Sequence, residues 1–309
     1  MLVLFCGQGR ALGQAWVSEP GSGEVGLTYQ FDRSNTIVEG GGDIKLSGDS
    51  VVIHGLMLAA DFSPMEKLGV SVEVPMLMSQ YTGEGVIFSP HGTWDDGNVH
   101  ASLQDLRADL RYELLSEPLV LTPRLGASVP MSDYEIHGFA APGRGLKKLH
   151  IGLNTARTLD PWVPRLYFHA LYEFSLVEHF DKIPEGANIS QNYSRASLQV
   201  GYALTDALVG FAMADGLIHH GGVHFVDWEM LSSDVRDYHD VLLKERVYSL
   251  GLGLGYQLSD SLMASVVGQG FVRGNNTRAA RVLAANLSWQ FTAWQEEPEE
   301  LEELEELEE

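Results

Sequence analysis

Apolar and polar residues alternate along most of this chain with a period of two. Over residues 24–32 the apolar positions are Val25, Leu27, Tyr29 and Phe31, and the intervening positions are small or polar. Successive side chains of an extended strand point to opposite faces. The alternation therefore predicts β-strands with one apolar and one polar face.

The segment 105–114 shows this alternation with the strongest contrast. Its apolar positions are Leu106, Ala108, Leu110, Tyr112 and Leu114, and its other face carries Asp105, Arg107, Asp109, Arg111 and Glu113. A dry soluble core would bury such charges only at high cost. We therefore expect the charged face to line a barrel whose apolar face contacts lipid.

Continuing this reading along the chain gives twelve strands, an even number. They span 24–33, 50–62, 68–81, 102–115, 119–130, 148–158, 164–176, 194–204, 207–216, 243–258, 262–273 and 279–291. The predicted fold class is all-β, a transmembrane antiparallel up-and-down β-barrel of about twelve strands.

The connections between these strands alternate in length. Short turns rich in Pro, Asp and Ser lie at 63–67, 116–118, 160–162, 205–206 and 259–261. Long loops lie at 34–49, 82–101, 131–147, 177–193 and 217–242, while 274–278 is short. Short turns on one rim and long loops on the other are typical of bacterial outer-membrane barrels, so we expect both termini in the periplasm.

Two features separate this pattern from a soluble β-sandwich, the alternative that alternation alone leaves open. Glycines face leucines across one strand, with Gly251, Gly253 and Gly255 opposite Leu250, Leu252 and Leu254. Aromatic residues precede the short turns, as a membrane girdle requires: Phe62, Tyr112, Tyr202, Tyr256, Trp289 and Phe291.

Charge and composition exclude some classes of protein. The chain has 309 residues, 45% of them apolar, and a net charge of −22. Ten glutamates in the last 14 residues carry part of that charge, which leaves −12 for the rest. A nucleic-acid partner is not expected, because phosphate binding needs a basic face.

The two ends of the chain predict export and assembly. The apolar start and the small residues Gly13 and Ala15 indicate a signal peptide over 1–15 that lacks the usual basic n-region, and an ordinary buried first strand is the alternative. The barrel would then occupy 16–291 and an acidic tail 292–309. The last strand ends at Phe291 and resembles the signal that the barrel assembly machinery recognises, so we expect that machinery as a partner, together with outer-membrane lipids.

Residues 102–134 resemble part of a known barrel family. The shared elements are Asp105 entering a strand, the run from Arg111 to Leu115 that ends it, and a following strand that closes on Val129 and Pro130. The family is labelled as transporters or as belonging to the MetA pathway of phenol degradation. This chain departs from it at Gln104, where the family has glycine, and at Met131 and Ser132, where it has Thr-Gly. The resemblance implies an outer-membrane channel for small organic molecules and identifies no binding residue.

The inward register predicts a set of lumen-lining residues. They are Asp105, Arg107, Asp109, Arg111, Glu113, Arg124, His150, Arg165, His169, Glu173 and Arg195. Two interpretations remain open: a constriction that orients a polar or anionic solute, or an ion-pair network that fills a narrow barrel. We expect passive diffusion of small-molecule solutes, with loop 131–147 or 217–242 as a lid.

Three rival functions have weaker support. The loop 217–242 carries His219, His220, His224, Asp227, His239 and Asp240, at a spacing compatible with a metal site. No rigid element fixes these residues, so we expect neither metal nor cofactor.

An enzyme is not expected, because outward His54 lacks an outward serine and the pairs His137–Asp133 and His239–Asp240 are ordinary for loops. A structural or adhesive surface barrel would bind through loop aromatics, namely Trp94, Phe225, Trp228 and Tyr238.

Overall fold

The computed structural model describes residues 15–83, 94–181, 189–224 and 238–294. Its strands are β1 Ser22–Val38, β2 Ile44–Met65, β3 Leu68–Thr82, β4 Val99–Leu103, β5 Asp105–Tyr112, β6 Val120–Pro130, β7 Lys148–Thr158, β8 Leu166–Val177, β9 Tyr193–Ala203, β10 Leu208–His219, β11 Arg246–Ser259, β12 Leu262–Asn275, β13 Thr277–Arg278 and β14 Arg281–Thr292. One short helix, α1, spans His239–Leu242. No helix within the described ranges is long and apolar enough to cross a membrane.

The strands close into a single antiparallel barrel, because β1 pairs with both β2 and β14. β4 and β5 both pair with β3 and form one barrel strand interrupted at Gln104. The two-residue β13 pairs with the end of β1. The barrel therefore has twelve strands, and the predicted fold class is confirmed.

The two faces of each strand differ as the alternation predicted. On β1, Leu27 and Tyr29 point outward and are about half exposed, whereas Thr28 and Gln30 are buried inside. The predicted girdle residues Tyr112, Tyr202, Tyr256 and Trp289 are likewise exposed on the outer surface. The outer wall thus offers apolar surface to lipid while polar groups face the lumen.

The long loop predicted over 34–49 is wrong. β1 continues to Val38 and β2 begins at Ile44, with backbone pairs from Thr36–Leu46 to Val38–Ile44. A register shift between Ser34 and Thr36 precedes this extension. The alternation that marks the other strands is interrupted here, because Ile37 and Val38 are adjacent apolar residues, while backbone hydrogen bonds continue the pairing.

Two glycines on β9 and β11 lie beneath aromatic side chains in the lumen. A Cβ atom on Gly253 would clash with the ring of Phe211, and one on Gly201 with the ring of Tyr167. These glycines allow two aromatic rings to lie against the wall of the lumen.

The chain also enters the barrel from the end that carries the short turns. Ala15 is fully buried, its carbonyl accepts a hydrogen bond from the Thr122 hydroxyl, and it packs with Val120 and Ala156. The Val17 amide donates to Glu113 Oε2 at 2.9 Å. Residues 1–14 and 295–309 lie outside the described residues, so the signal peptide and the acidic tail stay predictions.

Candidate functional site in the barrel lumen

Four charged side chains form a central cluster in the lumen: Arg107, Asp109, Arg124 and Glu173. Arg107 donates to both carboxylates, with Nε–Oδ2 2.7 Å to Asp109 and Nη2–Oε2 2.5 Å to Glu173. Arg124 lies 2.8 Å from Asp109 and 3.7 Å from Glu173. Each carboxylate therefore contacts two guanidinium groups, and the two charges of each sign balance.

The central cluster joins strands that are not neighbours. Arg107 belongs to β5 and Glu173 to β8, and β6 and β7 lie between them in the sheet. Their contact therefore crosses the interior of the barrel. Both carboxylates are almost completely buried, so their charges are stabilised only while the guanidinium groups remain in place.

Further ion pairs lie on either side of the central cluster. Toward the short turns, Arg111 contacts Asp61. Toward the long loops, Lys148 Nζ lies 2.5 Å from Asp105 Oδ2, and the Tyr134 hydroxyl donates to Asp105 Oδ1 at 2.5 Å. Burial, together with the negative charge of Asp105, raises the pKa of the Tyr134 phenol, which keeps it a hydrogen-bond donor.

A histidine lies against the central cluster. His150 Nε2 is 2.7 Å from Ser128 Oγ, and its Nδ1 is 2.8 Å from Ser175 Oγ and 3.4 Å from Glu173 Oε1. The ring is 1% exposed, so both nitrogens have partners in a closed environment. This arrangement fixes the orientation of the imidazole.

A cavity of about 140 Å³ lies between the central cluster and the long loops. Its charged lining residues are Glu73, Asp105, Arg107, Arg144, Lys148, Glu173 and Arg195, and the His150 imidazole also lines it. Gln104, Ser128 and Tyr193 add hydrogen-bonding groups, and residues 142–144 form part of its boundary. The cavity therefore presents both signs of charge to anything inside it.

The loop 131–147 covers this cavity and is attached at several points. Arg144 donates to Glu245 Oε2 at 2.8 Å and also contacts Gln191. The Gly138 amide donates to Asp240 Oδ2 at 2.9 Å, and the Ala140 amide to Asp95 Oδ1 at 2.9 Å. We call this loop the lid.

An apolar cluster supports the lid from the neighbouring loops. It consists of Leu146, Phe180, Val223, Val241 and Leu242. Val241 and Leu242 belong to α1, so this short helix packs against the lid from the connection between β10 and β11. Residues from three different loops thus pack together at the end of the barrel that carries the long loops.

The structure brings together most of the predicted lumen residues. Asp105, Arg107, Asp109, Arg111, Arg124, His150 and Glu173 lie in the ion-pair network described above. Arg195 lines the cavity and lies 3.8 Å from Asp215. His169 is four residues from Glu173 on β8. It therefore lies on the same, inward face of the strand.

Two predicted residues lie elsewhere. Glu113 is near the short turns, where it accepts hydrogen bonds from Val17 and from the Ser116 hydroxyl. Arg165 is on the rim that carries the short turns, half exposed, with Nη2 3.2 Å from Asp206 Oδ1. Arg165 is therefore separate from the central cluster.

Several residues of the site were not predicted from the sequence: Glu73, Ser128, Arg144, Lys148 and Ser175. Ser128 and Ser175 occupy inward positions on strands that were predicted correctly. Their place in the lumen could therefore have been predicted from the alternation along those strands. Arg144 lies in the lid, and no periodic pattern indicates how a loop folds back into a barrel.

Among the residues of the rival functions, His239 and Asp240 contact each other, with Nε2 3.1 Å from Oδ1, and Asp240 also accepts from the Gly138 amide. Among the described ranges, no group of three or more His, Cys, Asp or Glu residues could hold a metal ion. His137 Nδ1 lies 2.6 Å from Glu135, and His54 Nδ1 lies 2.8 Å from the Tyr29 hydroxyl. Asp227, Phe225 and Trp228 lie outside the described residues.

Solved structures of outer-membrane barrels are similar to this fold. The COG4313 outer membrane channel from Pseudomonas putida F1 aligns with a TM-score of 0.70 at 11% identity, covering 91% of this chain and 99% of that one. The NanC porin aligns with a TM-score of 0.51 at 10% identity, covering 85% and 98%. No protein-family model matches the chain, and neither does any curated protein. The comparisons therefore show an outer-membrane barrel fold, and the resemblance to the MetA-pathway family stays a prediction.

Proposed function

We propose that this barrel is an outer-membrane channel for small polar organic solutes, which it passes by diffusion, and that the lid controls entry. The observation that carries the proposal is the charged cavity, which lies inside a transmembrane barrel and is bounded on one side by residues 142–144 of the lid. A solute of either charge finds partners there, because Arg195 and Lys148 line the cavity together with Glu73. The long loops would face outward and the termini the periplasm.

The attachments of the lid suggest how the channel opens. The contacts of Arg144, Gly138 and Ala140 are made to other loops or loop-proximal positions, so their loss would move the lid without breaking the barrel sheet. Below the cavity, the central cluster is a charged constriction of the kind that selects solutes in pores. A passing solute would exchange contacts with these side chains in turn.

The described loop aromatics support a lid in preference to an adhesive surface. Trp94 Nε1 donates to Ser79 Oγ at 2.7 Å, inside the barrel mouth. Tyr238 packs edge-on against Phe180, with ring centroids 5.0 Å apart. Because both rings contact the protein itself, they are less suited to capturing an external partner.

Single-channel conductance of the refolded barrel in a planar bilayer tests the proposal. We expect rare opening steps for the unmodified chain and frequent ones for Arg144→Ala, which frees the lid from Glu245. Small aromatic and acidic solutes should block the open state. Arg165→Ala, a charge change outside the lumen, is the matched control and should behave like the unmodified chain. Folded barrels of both the unmodified chain and Arg144→Ala that insert but never conduct would overturn the proposal.

A further inference from the structure

Three neighbouring strands place a serine, a histidine and a carboxylate in line at inward positions. Ser128 is on β6, His150 on β7 and Glu173 on β8. The Ser128 hydroxyl is 2.7 Å from His150 Nε2, and Glu173 Oε1 lies 3.4 Å from Nδ1 on the opposite edge of the ring. This order of groups is the one that activates a nucleophilic serine.

The surroundings of His150 favour the tautomer that such a site needs. Glu173 is negative and lies on the Nδ1 side, where the Ser175 hydroxyl is also within 2.8 Å. A proton on Nδ1 is therefore stabilised, which leaves Nε2 as the acceptor for the Ser128 hydroxyl. Glu173 is itself fixed by Arg107, so the ring cannot easily turn away.

We propose that the lumen contains a hydrolytic site in which Ser128 is the nucleophile, His150 the general base and Glu173 a positioning residue. This activity is additional to the proposed channel and uses the same cavity, which Ser128, His150 and Glu173 all line. This site lies on the inner wall of the barrel, away from outward His54 and from the loop pairs His137–Asp133 and His239–Asp240.

The cavity also supplies groups for the charge that develops during the reaction. Arg107 and Lys148 are the direct register partners of Ser128 on its two neighbouring strands. Directly opposed side chains have Cβ atoms about 5 Å apart. Two cations therefore flank the hydroxyl, where they can stabilise an oxyanion in an enclosed environment.

The reaction that fits these groups is ester hydrolysis through an acyl-enzyme. Ser128 Oγ forms a bond to the ester carbonyl carbon while its proton passes to His150 Nε2, and the negative charge moves to the carbonyl oxygen. The carbon–oxygen ester bond then breaks, and the alcohol leaves with the proton from His150. A water molecule repeats the sequence, which releases the carboxylic acid and restores Ser128.

The size and polarity of the cavity define the substrate class. A protein cavity of about 150 Å³ accommodates benzene, and the cavity beside Ser128 measures about 140 Å³. The charged lining favours polar molecules over hydrocarbons. The site is thus suited to small esters of short carboxylic acids and excludes the acyl chains of membrane lipids.

Covalent labelling with methanesulfonyl fluoride, a small reagent for activated serines, tests the proposal on the refolded full chain. Peptide mass spectrometry should locate the adduct on Ser128. Because a general base activates Ser128, we expect Ser128 to be labelled about 100-fold faster than Ser71. Ser71 is a buried lumen serine that has no histidine partner among the described residues. Ser71→Ala is the matched control and should label at Ser128 as before, whereas His150→Gln should not.

Two further measurements make the result decisive. Arg144→Ala frees the lid, so it should label at least as fast as the unmodified chain, and the absence of a Ser128 adduct in both proteins would overturn the proposal. Hydrolysis of vinyl acetate should disappear in Ser128→Ala, and its persistence there would also contradict the assignment. Conductance of Arg144→Ala is measured on the same preparation. A barrel that conducts but forms no Ser128 adduct separates failure of the hydrolytic site from failure of the channel.

Discussion

The two sides of the lumen are filled in different ways. The charged wall, formed by the inward residues of β5 to β8, carries Arg107, Asp109, Arg124 and Glu173. The glycine wall consists of Gly201 on β9 and Gly253 on β11, which lie beneath aromatic rings. Long side chains of opposite charge fill the space at the charged wall, and aromatic rings fill it over the two glycines.

This contrast shows that one alternating pattern is compatible with two kinds of interior. The charged wall depends on complete sets of partners, because a buried charge without its counter-ion is costly. The glycine wall depends on shape, because added atoms have no free space. The charged wall should therefore be sensitive to the loss of a charge and the glycine wall to a gain in volume.

The largest expected effect is that of Glu173→Gln on the charged wall. The change leaves Arg107 and Arg124 with Asp109 as their remaining carboxylate in the central cluster. We expect the free energy of unfolding to fall by about 3–5 kcal/mol. Urea titration of the barrel in lipid vesicles, followed by tryptophan fluorescence, measures it. A fall below about 1 kcal/mol would mean that the central cluster is not a closed set of partners.

An intermediate effect is expected for Gly253→Val on the glycine wall. The new side chain would occupy the place of the Phe211 ring, at a cost of about 1–3 kcal/mol in the free energy of unfolding. The double variant Gly253→Val with Phe211→Ala should be more stable than Gly253→Val alone, in the same titration.

Gly268→Val is the matched control for that experiment. A side chain at Gly268 would meet open space on the outer surface, so its free energy of unfolding should not fall. Equal destabilisation by the two valines would indicate that strand glycines matter here for backbone conformation and not for the packing of Phe211.

The smallest expected effect is that of Arg165→Gln, which breaks an ion pair outside both walls. Arg165 is half exposed and its partner Asp206 almost fully so. Exposed pairs contribute about 0–1 kcal/mol. In the same urea titration, Arg165→Gln should lower the free energy of unfolding much less than Glu173→Gln does. Similar losses for the two variants would mean that exposed and buried ion pairs contribute equally to stability in this barrel.

Most of the strand plan could be predicted because alternation is a local property. The strand predicted over 148–158 has the bounds that the structure gives to β7, and the one over 119–130 differs from β6 by one residue. The prediction was wrong at 34–49, where the alternation is interrupted at the adjacent residues Ile37 and Val38 although β1 and β2 continue to pair. Backbone hydrogen bonds carry no signature in the side-chain pattern.

The site was predictable only as far as the inward register. Arg107 and Glu173 were both assigned to the lumen, yet 66 positions separate them in the chain, and their 2.5 Å contact depends on how tightly the sheet curls. The same holds for Ser128 and His150, which became neighbours through the pairing of β6 with β7.

The sequence by itself determined that this protein is a twelve-stranded membrane barrel with a charged interior, because side-chain alternation sets the faces of each strand. The tertiary structure decided which charges meet, that glycines on one side accept aromatic rings, and that the lid folds inward over a small cavity. These features depend on closure of the barrel and on contacts between residues distant in the chain, and a pattern of period two contains neither.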